Sequence, residues 1–211
     1  MKKQYILVVL LLAFKIAGAQ DTLQFNRIIF KVAPFSFLDK MSFPTTQAGF
    51  ELRLSRSYSI DFSYGQVFGK DFNNHSGTGF KTKFEVRKYT RHKQKTYVAL
   101  EGFYNKIDHS ASGMFENSED STTYQDDYFI KKIVWGINVK CGLETKLSKR
   151  FVFDCYFGIG IRVKDVEHFD RIRPEDSFYQ VDVLPVYVRD HPGSYSTPNL
   201  TAGAKIGYII K

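Results

Sequence analysis

The sequence predicts an all-β protein: an eight-stranded antiparallel up-and-down transmembrane β-barrel, preceded by a cleaved signal peptide. Three observations carry the expectation. Apolar residues recur at every second position over stretches of eleven to thirteen residues, as in Ile133–Leu143 and Phe151–Val163. The connections between such stretches alternate long and short, and the first twenty residues have the make-up of an export signal.

The signal comes first in the chain. Lys2 and Lys3 make a positive start, Tyr5–Phe14 an unbroken apolar run, and Ala17-Gly18-Ala19 a small-residue cleavage site. The run falls short of the roughly 20 residues that cross a bilayer, and no cysteine follows it to carry a lipid anchor. Residues 1–19 are therefore expected to be signal peptide and residues 20–211 one barrel domain in a Gram-negative outer membrane. Of the net charge of +8, Lys2, Lys3 and Lys15 belong to the leader. The remaining cations are scattered among acids without a basic stripe, so nucleic acid is not an expected partner. No later apolar run reaches 18 residues, which excludes a spanning helix. Spanning strands are not excluded, because they are apolar at alternate positions only.

The first two strands are read at Phe25–Val32 and Gln47–Leu54. In the third, Tyr58, Ile60, Phe62 and Tyr64 share a face opposite Ser59, Asp61 and Ser63. Gly79–Tyr89 sets Lys81, Lys83, Glu85 and Arg87 against Phe80, Phe84 and Val86, and Thr96–Ile107 follows as the fifth strand. The sixth puts Ile133, Trp135, Ile137, Val139, Cys141 and Leu143 on one side. Phe151–Val163 and Leu200–Ile210 repeat the pattern, with Phe157, Ile159 and Leu200 set against glycines and charges. Short connections (Ser55–Ser57, Thr90–Lys95, Ser148-Lys149) alternate with long ones (Ala33–Thr46, Gly69–Thr78, Asp108–Phe129, Lys164–Asn199). Outer-membrane barrels segregate loop length by end in this way. A soluble lipocalin-like binder, whose charged face is its wet exterior, is the competing architecture.

If the apolar face meets lipid, parity points Glu51, Arg53, Asp61, Glu85, Arg87, Glu101, Lys140, Glu144, Asp154, Arg162 and Lys205 into the barrel. An eight-stranded barrel is just wide enough for side chains to fill, so these charges are expected to form a mutually compensating plug. Tyr58, Tyr64, Trp135, Phe151, Phe157 and Tyr208 are the expected lipid-facing aromatics.

The strand motifs Phe84-Glu-Val-Arg-Lys-Tyr89, Thr96–Tyr104, Gly142–Phe151, Tyr156–Arg162 and Gly203–Tyr208 give the chain a resemblance to the small outer-membrane β-barrels of Bacteroidota-type bacteria. That family is of unknown function and OmpA-like in architecture. The resemblance implies a barrel inserted by the barrel-assembly machinery among outer-membrane lipid and lipopolysaccharide, and it implies no activity.

Chemical motifs are scarce. There is no phosphate-binding glycine loop, HExxH or G-x-S-x-G, and no catalytic, metal or cofactor site is expected. His75, His92, His109, His168 and His191 are read in loops or turns. His168, Asp170, Asp190 and His191 form the best metal candidate, and Glu116, Glu119, Asp120, Asp126 and Asp127 a weaker calcium candidate. His109 with Ser110 or Ser112 is the one pairing that a lipid-modifying enzyme could use, and it lacks a third member. Cys141 and Cys155 are equidistant from Ser148, which leaves open either two lipid-facing thiols or a cross-strand disulfide. The expected function is a structural or interaction role through extracellular loops that bind a protein or glycan. The alternative is transport of a small solute or an apolar molecule.

Overall fold

The computed structural model describes residues 27–38, 43–70, 76–90, 95–120, 122–173, 176–178 and 192–210. The leader, His75, His92, Asp190 and His191 lie outside the described residues. The chain forms β1 (Arg27–Val32), a 3₁₀ turn η1 (Pro34–Leu38), β2 (Thr45–Arg53), β3 (Tyr58–Val67) and β4 (Gly77–Tyr89). It continues with β5 (Lys95–Glu116), β6 (Thr123–Lys146), β7 (Phe151–Phe169), a two-residue β8 (Ser177–Phe178) and β9 (Gly193–Ile209). No helix among the described residues is long and apolar enough to cross a membrane.

Eight of these strands close into one antiparallel ring. Each pairs with the next in sequence, β7 pairs with β9, and β9 pairs with β1; β8 only caps the far end of β5. Following the register from Ile209 through Ile29, Glu51, Asp61, Glu85, Glu101, Asn138 and Gly160 returns to β9 at Asn199, ten residues from the start. With a rise of about 3.3 Å and a strand spacing of about 4.8 Å, that stagger tilts the strands by about 40° to the axis.

The described residues of the tight connections, 54–57, 90 and 147–150, lie at the same end of the ring as Arg27 and Ile209. At this end Leu54 and Ser55 both donate their N–H groups to the Tyr58 carbonyl. Leu147 and Ser148 do the same to Phe151. The described residues 33–38, 43–44, 68–70, 76, 117–120, 122, 170–173, 176–178 and 192 lie at the opposite end.

One expected loop is not a loop. Residues 108–129, read as a long connection, are mostly strand: β5 runs to Glu116, β6 starts at Thr123, and residues 117–122 turn between them. Because β4 stops opposite His109, the last seven residues of β5 stand clear of it, about 23 Å at strand rise. β5, β6 and β7 thus continue past the ring as an extension.

Along these strands the alternation changes phase. Within the ring, β6 turns Trp135 (49% exposed), Ile137 (60%) and Val139 (54%) outward, and Asn138 and Lys140 inward. Beyond it, Lys131 and Glu167 form an exposed ion pair at 3.1 Å on the outer face. There the inner face carries the apolar residues: Ala111, Phe115, Tyr128, Ile130 and Val166 pack as a small core. The unbroken run of outward apolar positions on β6 goes from Ile133 to Leu143, a height of about 25 Å at the tilt above.

Candidate functional site

Two regions have the density of interactions expected of a site: the charged lumen and the extension. In the lumen, Glu51, Arg53, Asp61, Glu85, Arg87, Glu101, Lys140, Glu144, Asp154 and Lys205 are buried and point inward from seven strands. Lys31 joins them from β1 and Lys81 from β4, so six carboxylates face six cations, five of which form the ion network.

Arg87 is the hub. Its Nε lies 2.5 Å from Glu85, Nη1 lies 2.7 Å from Asp154 and 3.2 Å from Glu51, and Nη2 lies 3.3 Å from Asp61. Lys31 Nζ sits 2.5 Å from Glu51, 2.8 Å from Asp154 and 3.5 Å from Glu144. Arg53 pairs with Glu144, Lys205 reaches Asp61 at 2.8 Å, and Lys140 bridges Glu85 at 2.9 Å and Glu101. Neutral donors occupy remaining acceptor sites. The Tyr97 hydroxyl donates to Asp154 at 2.7 Å, the Tyr89 hydroxyl to Glu51 at 2.8 Å, and Asn138 Nδ2 to Glu101 at 2.8 Å. The rings serve a second purpose: the Arg87 guanidinium lies 4.6 Å from the centre of Tyr97, and Lys140 Nζ 4.1 Å from that of Tyr156.

Close packing makes room for this. A Cβ at Gly142 would stand 2.2 Å from the Tyr97 ring, so glycine there lets the phenol cross the lumen. Toward the far mouth, Phe43 seals one side. Its backbone takes φ 67°, its ring lies 5.0 Å from that of His109, and it packs with Val67 and Ile107. Ions buried without partners are expensive, and here every carboxylate meets at least one cation. The arrangement fills the lumen and leaves no reacting pair poised at a cleft.

Arg162 stands apart. It faces inward but is half-buried, and its Nε donates to Thr197 Oγ1 at 3.0 Å. The aromatic residues Tyr64, Trp135, Phe151 and Phe157 are exposed on the outer wall, with Tyr58 and Tyr208 half-buried there. Tyr208 packs edge-on against Phe151 at 5.4 Å and accepts a hydrogen bond from Arg150 at 2.9 Å. Toward the opposite end, Tyr64, Phe80 and Tyr104 follow one another at centroid separations of 6.2 and 6.0 Å.

At the extension, Asp176 ties the segment after β7 to the β5–β6 turn. It accepts from the Ser118 N–H at 3.1 Å, the Ser118 hydroxyl at 3.0 Å and the Tyr124 hydroxyl at 2.9 Å. Desolvation pushes its carboxyl up, but these donors outweigh it and hold Asp176 below its ordinary value. Asp126 accepts the Ile172 N–H at 2.9 Å, and the Arg171 guanidinium lies 4.3 Å from the centre of the Phe115 ring.

The structure corrects several further expectations. His109 and His168 are on β5 and β7, not in loops. His109 points inward and is buried, whereas Ser112, of opposite parity, accepts a bond from Gln125 on the outer face. The proposed His–Ser pairing is thus split across the sheet. Cys141 and Cys155 are free. The register sets Cys141 opposite Phe157 and Cys155 opposite Leu143, because the hairpin centres on Lys149 and not on Ser148. Diagonal neighbours on a sheet are about 7–8 Å apart, against a Cβ separation of about 3.8 Å in a disulfide. Asp126, from the acidic candidate, is buried beneath the extension while Glu119 and Asp120 are exposed at its turn. No group of three or more His, Cys, Asp or Glu side chains with metal-site geometry occurs among the described residues.

Lys31, Tyr89, Tyr97 and Asn138 complete the lumen without having been singled out from sequence. Parity with Phe30 and Val32, both exposed, was the available signal for Lys31. Comparison with family models, curated proteins and solved structures finds no match to this chain.

Proposed function

We propose that this protein is an outer-membrane barrel with a closed, ion-filled lumen, which holds the β5–β7 extension outside the membrane as a docking element for an extracellular protein or glycan. The observation that carries the reading is the change of phase along β6 and β7. Over about 25 Å the outer face is apolar and the inner face charged; beyond it the inner face turns apolar, while the outer face mixes Lys131, Glu167, Asp127 and Gln125 with Phe129 and Phe169. A soluble barrel has no reason for that change, since one side of its sheet meets water along the whole strand. The tilt of about 40° and the segregation of tight turns to one end accord with outer-membrane barrels. Outer-membrane lipid, lipopolysaccharide and the assembly machinery are the general partners that follow.

Purified protein should migrate faster on SDS gels unheated than boiled, and deletion of residues 111–127 should leave that shift intact while abolishing adhesion to host or glycan surfaces. Equal mobility with and without heating would count against the barrel in lipid. Unchanged adhesion would count against the docking role.

A further inference from the structure

The wall of the ring is not equally well closed all round. β9 pairs with β7 over its whole length, from Phe151↔Tyr208 to Val166↔Gly193. On its other edge it meets β1 over only four residues, Ile29–Val32 against Ile209–Ile206. Above Val32 the chain leaves the sheet and turns into η1, which packs against both β2 and β9. Its bond to β2 is visible: the Ser36 hydroxyl donates to the Thr45 carbonyl at 2.6 Å and Ala33 N–H to the Gln47 carbonyl at 3.0 Å. Among the described residues, Gly193–Lys205 of β9 have no strand partner on that side. Pro198, which has no N–H to offer a ladder, lies in this stretch, as edge positions tolerate.

The break lies within the apolar belt. Leu200 is 73% exposed and sits opposite Ile159, itself opposite Val139. Behind the break the inner wall is also open. Thr197, Asn199 and Thr201 face inward and are half-exposed, as are Gly160, Arg162 and Lys164 beside them on β7, whereas the inward Ser59, Asp61 and Ser63 of β3 are buried. At its upper end stands Arg162, hydrogen-bonded to Thr197, with Lys164 two residues on along the same inward face of β7.

We infer that this notch between η1 and β9 binds a single-chain amphiphile with an anionic head, its carboxylate or phosphate at Arg162 and its acyl chain passing out over Leu200 into lipid. The inference rests on the membrane placement proposed above. An opening in the belt that leads from Leu200 to one guanidinium suits a molecule apolar at one end and anionic at the other. Arg162 can engage such a head in a two-point hydrogen bond.

The test uses the full chain with Cys141→Ser and Cys155→Ser, reconstituted in phosphatidylcholine vesicles and treated with a lipid-partitioning pyrene maleimide. Thiols are placed at Leu200→Cys (outward), Thr201→Cys (inward at the notch) and Ser63→Cys (inward behind intact wall). Leu200→Cys should react readily and Thr201→Cys within about tenfold of it, with Ser63→Cys about a hundredfold slower, since access sets the rate. Stearate should protect Thr201→Cys, stearyl alcohol and inorganic phosphate should not, and Arg162→Gln should remove the protection. If Leu200→Cys fails to react, the membrane placement itself is wrong. Reactive Leu200→Cys with Thr201→Cys as slow as Ser63→Cys shows a sealed wall and overturns the notch. Equal protection by stearyl alcohol overturns recognition of the head, and protection by phosphate alone overturns the role of the chain.

Discussion

Arg87 on β4 and Asp154 on β7 meet across the lumen, Nη1 to Oδ2 at 2.7 Å, and neither side chain has measurable exposure. Around that contact Glu51, Asp61 and Glu85 share the same guanidinium. Arg87→Met should therefore destabilise the folded barrel by about 3–5 kcal/mol, the usual range for breaking a buried pair. Denaturant titration in detergent measures it, with Glu119→Ala at the exposed turn shifting stability by no more than about 0.5 kcal/mol. The double variant Arg87→Met/Asp154→Asn should lose less than the sum of its single changes, because it leaves one fewer orphaned charge.

Arg87 packs over Tyr97 and Lys140 over Tyr156 across the lumen. Planar-bilayer recordings should give no steady conductance for the intact protein. Tyr97→Ala combined with Arg87→Ala should produce flickering openings. A stable open level in the unmodified protein would contradict the filled lumen.

Ile137, 60% exposed on the outer wall, lies near the middle of the belt. Ile137→Arg should cost about 2–4 kcal/mol in lipid, and a charge at the rim about 0–1 kcal/mol. Leu147→Arg, in the turn at the tight end, supplies the rim value. Refolding into vesicles across a urea series separates the two, and equal costs would remove the lipid-facing assignment.

Asp176 should make the extension sensitive to acid. Its carboxyl is depressed below the ordinary value of 3.8, so the stability it adds is complete at neutral pH. That stability is lost only as pH falls below about 4 through the folded pKa. Hydrogen exchange at Ser118 should be slow at pH 7 and speed up at pH 3 beyond the change in intrinsic exchange. Asp176→Asn should show the faster exchange at both pH values.

The strands inside the belt were legible because outward-facing and lumen-facing chemistry differ at every second residue. That is how Phe62, Ile137 and Ile159 were separated from Asp61, Asn138 and Gly160. Residues 108–129 were not legible for the same reason in reverse. Past Ile133 the outward positions are mostly polar (Gln125, Asp127, Lys131, with Phe129 among them) and Tyr128 and Ile130 face inward, so the alternation is lost and reads as a break. β1 was ambiguous because Ile28, Ile29 and Phe30 place apolar side chains on both faces, which hid Lys31. The cysteine register failed on a single residue of turn geometry, since moving the hairpin centre by one displaces every partner by two.

The ion network also says how the chain must assemble. Each of its five cations touches a carboxylate from the other half of the barrel: Lys31 and Arg87 reach Asp154, Arg53 reaches Glu144, Lys140 reaches Glu85, and Lys205 reaches Asp61. The four N-terminal strands alone, or the four C-terminal ones, would hold charges whose partners had not arrived. Contacts as distant in sequence as Lys205 and Asp61, 144 residues apart, form only when the ends of the chain meet, and such non-local pairing is slow. Folding should therefore be all-or-none, with neither half persisting alone and the two halves, expressed as separate polypeptides, gaining order only on meeting.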